Sequence, residues 1–110
     1  MYAYWLILVA AILCEVTATT SMKLSEGFTK VVPSVVMMVG YVAAGVLMTF
    51  AIKRIELSIA YAIWAGLGVA LTTFIGIAFF KETLTPMKMI SAAMIVAGVM
   101  GLYLSQPGEV

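Results

Sequence analysis

A chain of 110 residues that is 65% hydrophobic and only 10% charged has too little polar side chain to clothe a surface in water, where about a quarter charged is usual. Its net charge of +1 comes with six basic residues, Lys23, Lys30, Lys53, Arg54, Lys81 and Lys88, scattered without a patch, which argues against nucleic acid as a partner. The lack of histidine and the single Cys14 exclude an intramolecular disulfide and a Cys/His metal site, and remove the usual nucleophile pairings; no metal, cofactor or enzymatic activity is expected.

The charges divide the chain into four apolar stretches, residues 4–22, 33–52, 58–80 and 86–105. Each matches a hydrocarbon core of ~30 Å at ~1.5 Å per residue. None alternates as a barrel strand does, so helices must satisfy the backbone within the lipid. The expected fold class is all-α integral membrane, four transmembrane helices forming a single domain over 1–110.

The first stretch opens on Tyr2, Tyr4 and Trp5, aromatic anchors for the headgroup region, as Tyr103 is at the far end of the chain. Cys14 is no lipoprotein cleavage signal, because Leu13 is not small and no basic residue precedes the run; the segment is read as a retained span. Glu15 falls two residues past its centre, ~3 Å along the axis from the midplane, too deep to snorkel. The one Lys or Arg within the four spans is Lys88, at the outer edge of the fourth and far from mid-membrane, so Glu15 must be neutralised by a proton or by an external cation. One anionic site open to both gives mutually exclusive binding, which couples two gradients. Leu8, Ala11, Ile12, Ala18, Thr19 and Met22 share its helix face. The Thr19 hydroxyl has two possible uses, the site or its own backbone.

A loop from Lys23 to Val32 follows, with Gly27 suited to the turn, and Pro33 can open the second span. Tyr41 sits mid-span as a further wall, and Met37, Met38 and Met48 read as adaptable packing. In the third span Tyr61, Trp64 and Gly68 form one stripe, Trp64 deep enough to stack on a flat organic cation. Gly66 and Gly68 permit either a bend or close helix packing. Thr85-Pro86 reads as an N-cap followed by proline at the first helical position. In the fourth span Ala93, Ala97 and Gly101 repeat every four residues and Ser91 and Gly98 lie seven apart, a narrow seam for self-association. The first and third loops with the adjoining edge of the fourth span hold Lys23, Lys30, Lys81 and Lys88 against Lys53 and Arg54 in the second loop, which favours the former in the cytoplasm by a margin small enough to permit both orientations.

Glu15 at mid-span, Met22-Lys-Leu-Ser-Glu-Gly-Phe-Thr29, Pro33-Ser34 and Ala60-Tyr-Ala-Ile-Trp-Ala-Gly-Leu-Gly68 resemble the small multidrug resistance family across essentially the whole chain, and within it the EmrE-like branch. The resemblance implies an antiparallel, dual-topology homodimer in the bacterial inner membrane that exports quaternary ammonium compounds and other hydrophobic organic cations in exchange for protons. It further implies that Glu15 binds proton or substrate, that Leu8, Ala11, Ile12 and Thr19 line the site, and that Tyr41, Tyr61 and Trp64 contact the cation. Gly66 to Gly68 would form a kink and Gly98 the dimer helix. The sequence Glu15-Val-Thr-Ala-Thr-Thr20 lacks the tryptophan usual in the guanidinium-exporting branch, while Gly45, Val46 and Ser91 depart from the EmrE-like pattern. The alternatives are a guanidinium or polyamine exporter of the same family, working as a homodimer or as a heterodimer, and a non-transporting assembly subunit in which Glu15 only joins helices.

Overall fold

The computed structural model describes residues 2–105; only the backbone of Tyr2 is included, so the anchoring expected of its side chain lies outside the described residues. It contains four helices, α1 (Tyr2–Leu24), α2 (Val31–Ala51), α3 (Leu57–Phe79) and α4 (Pro86–Ser105), and no strand among the described residues. All four are long and apolar enough to cross a bilayer, so the chain is a multi-pass membrane protein.

Helix boundaries follow hydrogen bonding rather than hydropathy. α1 contains neither Gly nor Pro and runs on through Lys23, whose charge suits the negative end of the helix dipole. It stops at buried Ser25, whose hydroxyl donates to the Met22 carbonyl (2.8 Å) and accepts from the Phe28 N–H (3.3 Å). The Thr29 and Lys30 N–H groups converge on the Ser25 carbonyl at 2.9 and 3.1 Å. The reversal needs three left-handed residues in a row, Glu26 (φ 48°), Gly27 (φ 71°) and Phe28 (φ 70°). Only Gly27 adopts this without a Cβ penalty; the bonds centred on Ser25 hold the other two. α2 begins at Val31, so Pro33 occupies its first turn, where a missing N–H costs no intrahelical bond. Thr85 caps α4 as expected, its hydroxyl accepting from the Lys88 N–H at 3.1 Å, and Pro86 is the first helical residue.

The main packing partners are α1 with α2, α1 with α3, and α3 with α4, giving the spatial order α2-α1-α3-α4. The chain measures 46 × 35 × 17 Å. A helix with its side chains is ~10–12 Å across, so the four form an open slab instead of a closed bundle. Small residues bring the layers together. A Cβ on Gly40 would come within 2.9 Å of the Ala18 Cβ and 3.1 Å of the Cys14 carbonyl oxygen, and one on Gly66 would overlap Val99.

The hydrophobic core cluster sits at one end, and Ala18 and Met37, towards the first loop, are buried apart from it. Leu8, Ile12 and Val16 of α1 meet Ala51 and Ile55 around the second loop and Ile59, Ala60 and Ile63 at the start of α3. At the same end the Trp5 and Tyr103 rings meet edge to face, centroids 5.3 Å apart, and Arg54 lies over Tyr4. α4 buries no residue within the chain.

Candidate functional site

Threonine in a lipid-embedded helix normally returns its hydroxyl to the carbonyl four residues back, because no water is present to receive it. Thr17, Thr20, Thr49 and Thr72 all do so, onto Leu13, Val16, Gly45 and Gly68, at 2.7–2.9 Å. Thr19 does not. Its hydroxyl lies 3.0 Å from Glu15 Oε2, one helical turn away, and 2.8 Å from the Tyr41 hydroxyl of α2. With Thr19 donating its single proton to the carboxylate, Tyr41 must donate to the Thr19 oxygen, forming a directed chain from Tyr41 to Glu15.

The other carboxylate oxygen faces α3. A Cβ on Gly68 would sit 3.8 Å from Glu15 Oε1, ordinary contact, so Gly68 keeps an opening beside the carboxylate. Glu15 is half-buried where α1, α2 and α3 meet. The ion pairs among the described residues are Lys23 with Glu82 and Lys30 with Glu26; Glu15 is in neither.

The other candidates are distributed unevenly. Leu8, Ala11 and Ile12 share the Glu15 face but are sealed within the chain, Leu8 at 1% exposure; Leu8 and Ile12 belong to the dry core. Trp64 is half-buried and packs on that core. Tyr61 is 66% exposed, and it is Tyr41, through Thr19, that reaches the carboxylate. α3 is one continuous helix through Gly66 and Gly68, with Gly66 serving close approach to α4. Ser91, Ala93, Ala97, Gly98 and Gly101 are all exposed along α4, away from Glu15, and Gly98 and Gly101 have nothing within 4 Å of an added Cβ.

Sequence reasoning missed a cavity of about 230 Å³ at the end where the first and third loops meet, floored by Thr19, Thr20, Thr72 and Thr73 and rimmed by Lys23 and Glu82. The signal was available as two Thr-Thr pairs, 19–20 and 72–73, in otherwise apolar spans near the same end. Because Thr19 both lines this cavity and bonds Glu15, the hydroxyl floor leads from the loops to the carboxylate. Gly40, whose close contact clamps α2 to α1 near Tyr41, was also unremarked.

Comparison with known proteins agrees with the geometry. The profile of the Small Multidrug Resistance protein family matches residues 3–95. The chain is 46% identical over 100 residues to the uncharacterized membrane protein YvaE of Bacillus subtilis, covering 91% of this chain and 84% of the relative. It is 42% identical over 100 residues to the quaternary ammonium compound-resistance protein QacE of Escherichia coli, covering 91% of each. With a guanidinium exporter of Escherichia coli it shares 37% over 101 residues, covering 92% of this chain and 96% of the relative. With four membrane helices and a family match over most of its length, this chain belongs to the small multidrug resistance family.

Proposed function

We propose that the chain is a proton-coupled antiporter of the bacterial inner membrane that exports hydrophobic organic cations, quaternary ammonium compounds among them, with Glu15 binding either the proton or the substrate. The observation that carries this reading is a mid-membrane carboxylate supplied with a hydrogen-bond donor, Thr19, but with no cationic partner among the described residues. A permanent ion pair would occupy the site; a donor orients the carboxylate and leaves its charge for a passing cation. When a proton binds instead, the Glu15 O–H can donate to Thr19 and the hydroxyl chain can reverse, so one geometry serves both occupants.

The slab-like chain supports a second copy in the transporter. Its fourth helix packs on α3 along one side but buries no residue within the chain, and the exposed seam of Ser91, Ala93, Ala97, Gly98 and Gly101 lets another α4 approach closely. An antiparallel homodimer enclosing two Glu15 carboxylates gives the cation a chamber that one slab cannot form. In it the exposed Tyr61 and the Trp64 ring face the substrate as aromatic walls, and a bend at Gly66 to Gly68 exchanges the open side. Leu8, Ala11 and Ile12 line the chamber as the helices part.

Exchange in proteoliposomes tests the reading. A pH gradient should drive uptake of tetraphenylphosphonium, and Glu15→Gln should abolish it; undiminished uptake would sink the mechanism. A second reading, guanidinium export, draws on the relatives so named. It predicts that guanidinium displaces tetraphenylphosphonium at lower concentration than tetraethylammonium does.

A further inference from the structure

Lys23, in the last turn of α1, directs its ammonium across the cavity mouth, 3.9 Å from Glu82 Oε2 and 5.7 Å from the centroid of the Phe80 ring. The backbone sets this cradle without help from the lysine. At the end of α3 the Phe80 and Glu82 N–H groups both donate to the Gly76 carbonyl, at 3.1 and 3.0 Å, and Lys81 turns through φ 57° between them. Glu82 thereby folds its carboxylate onto the bare Cα of Gly76, where a methyl group would overlap it. Carboxylate, aromatic face and threonine floor are thus fixed around a space of about 230 Å³.

The Lys23 ammonium in this cradle resembles an organic cation on a tether. It is held loosely, since the Lys23 and Glu82 side chains are 60% and 43% exposed and an ion pair at that distance and exposure is weak. An incoming ammonium ion meets the same carboxylate and ring, and it can also fill the hydroxyl-floored space that the lysine leaves open. Thr19, at the inner edge of that space, is hydrogen-bonded to Glu15, so a cation there stands one side chain from the central carboxylate.

We propose that the Lys23, Phe80 and Glu82 cradle is a second, peripheral binding site for soluble organic ammonium ions, occupied by the chain's own lysine until a cation displaces it. Its use as a loading station rests on the transport reading above; the binding itself does not.

The test uses the full chain carrying Glu15→Gln, so that the central carboxylate cannot contribute, in maltoside micelles without lipid. Tetraethylammonium is titrated while the methyl resonances of Thr20, Thr72 and Thr73 are followed by NMR. Saturable shifts are expected. Adding Lys23→Met should tighten the apparent affinity about 2- to 5-fold by removing the tethered competitor, as loss of a weak ion pair allows. Adding Glu82→Gln, nearly isosteric and exposed, should weaken binding about 2- to 5-fold and cancel the gain from Lys23→Met. No saturable shift in the Lys23→Met variant, or equal affinity with and without the Glu82 carboxylate, overturns the proposal. So does loss of binding in phosphatidylethanolamine nanodiscs, which would assign the cradle to a lipid headgroup. A positive titration beside failed proton competition in the chain that retains Glu15 would keep this site and remove the antiport reading; the reverse pattern would do the opposite.

Discussion

The two ends of the slab are built from different chemistry, and Glu15 lies between them. Towards the termini and the second loop, Leu8, Ile12, Ile55, Ile59, Ala60 and Ile63 interlock with almost no exposure, and aromatic residues cover the outside. Towards the first and third loops the same α1 and α3 diverge around threonine hydroxyls, and an exposed ion pair spans the mouth. One helix pair is thus sealed with hydrocarbon on one side of its carboxylate and lined with hydrogen-bonding groups on the other. A transporter that opens one side at a time needs such a contrast, and the lesson is that it lies in side-chain choice along two continuous helices instead of in a break of either.

Substitutions at the boundary and on each side of it should have graded effects. Glu15→Gln removes the charge that the contrast serves. It should reduce cation affinity at alkaline pH about 30-fold or more, the cost of deleting one partner of a desolvated charge pair at ~2 kcal/mol and upward, as read by tetraphenylphosphonium binding. At the dry end, Ile55→Ala should lower stability in detergent by about 2–5 kcal/mol on thermal or denaturant unfolding, since Ile55 is 2% exposed and its cavity cannot fill with water. A cost below about 0.5 kcal/mol would show that this end is not the sealed one.

On the polar side, Thr19→Val and Thr20→Val make a matched pair. Thr19 serves Glu15 whereas Thr20 serves its own backbone, so the first should weaken cation binding about 3- to 10-fold and the second less than about 2-fold. Equal effects would show that the hydroxyl chain is incidental. Tyr41→Phe should fall between the two, about 3-fold, the worth of one interhelical hydrogen bond of ~0.6 kcal/mol in a membrane.

The spans and their central carboxylate were legible in the sequence, whereas the contrast between the two ends was not. Glu15 stands out because a charge inside an apolar run is costly, and the four spans follow from run length alone; Thr85 announces its cap by the proline after it. Helix ends were less visible: α1 passes its apolar limit to Leu24, and α2 starts before Pro33, because backbone bonds and the Ser25 turn set those points. The partner of the Thr19 hydroxyl was undetermined, since the i−4 carbonyl and the i−4 side chain lie at the same sequence distance. The Glu82 cradle was hidden because it depends on the left-handed turn at Lys81, which puts a loop carboxylate back over Gly76. Periodicity reports which residues share a helix face; it is silent on how loops fold back over the ends.

Coupled exchange depends on Glu15 holding a proton or a cation but never both. Tetraphenylphosphonium affinity should therefore be measured on the purified, unmodified chain from about pH 5 to pH 9. Apparent affinity should rise about tenfold per pH unit while the carboxylate is mostly protonated, because each cation bound displaces one proton, and should level off once Glu15 is free of protons. Affinity that stays flat across the range would contradict competition at Glu15.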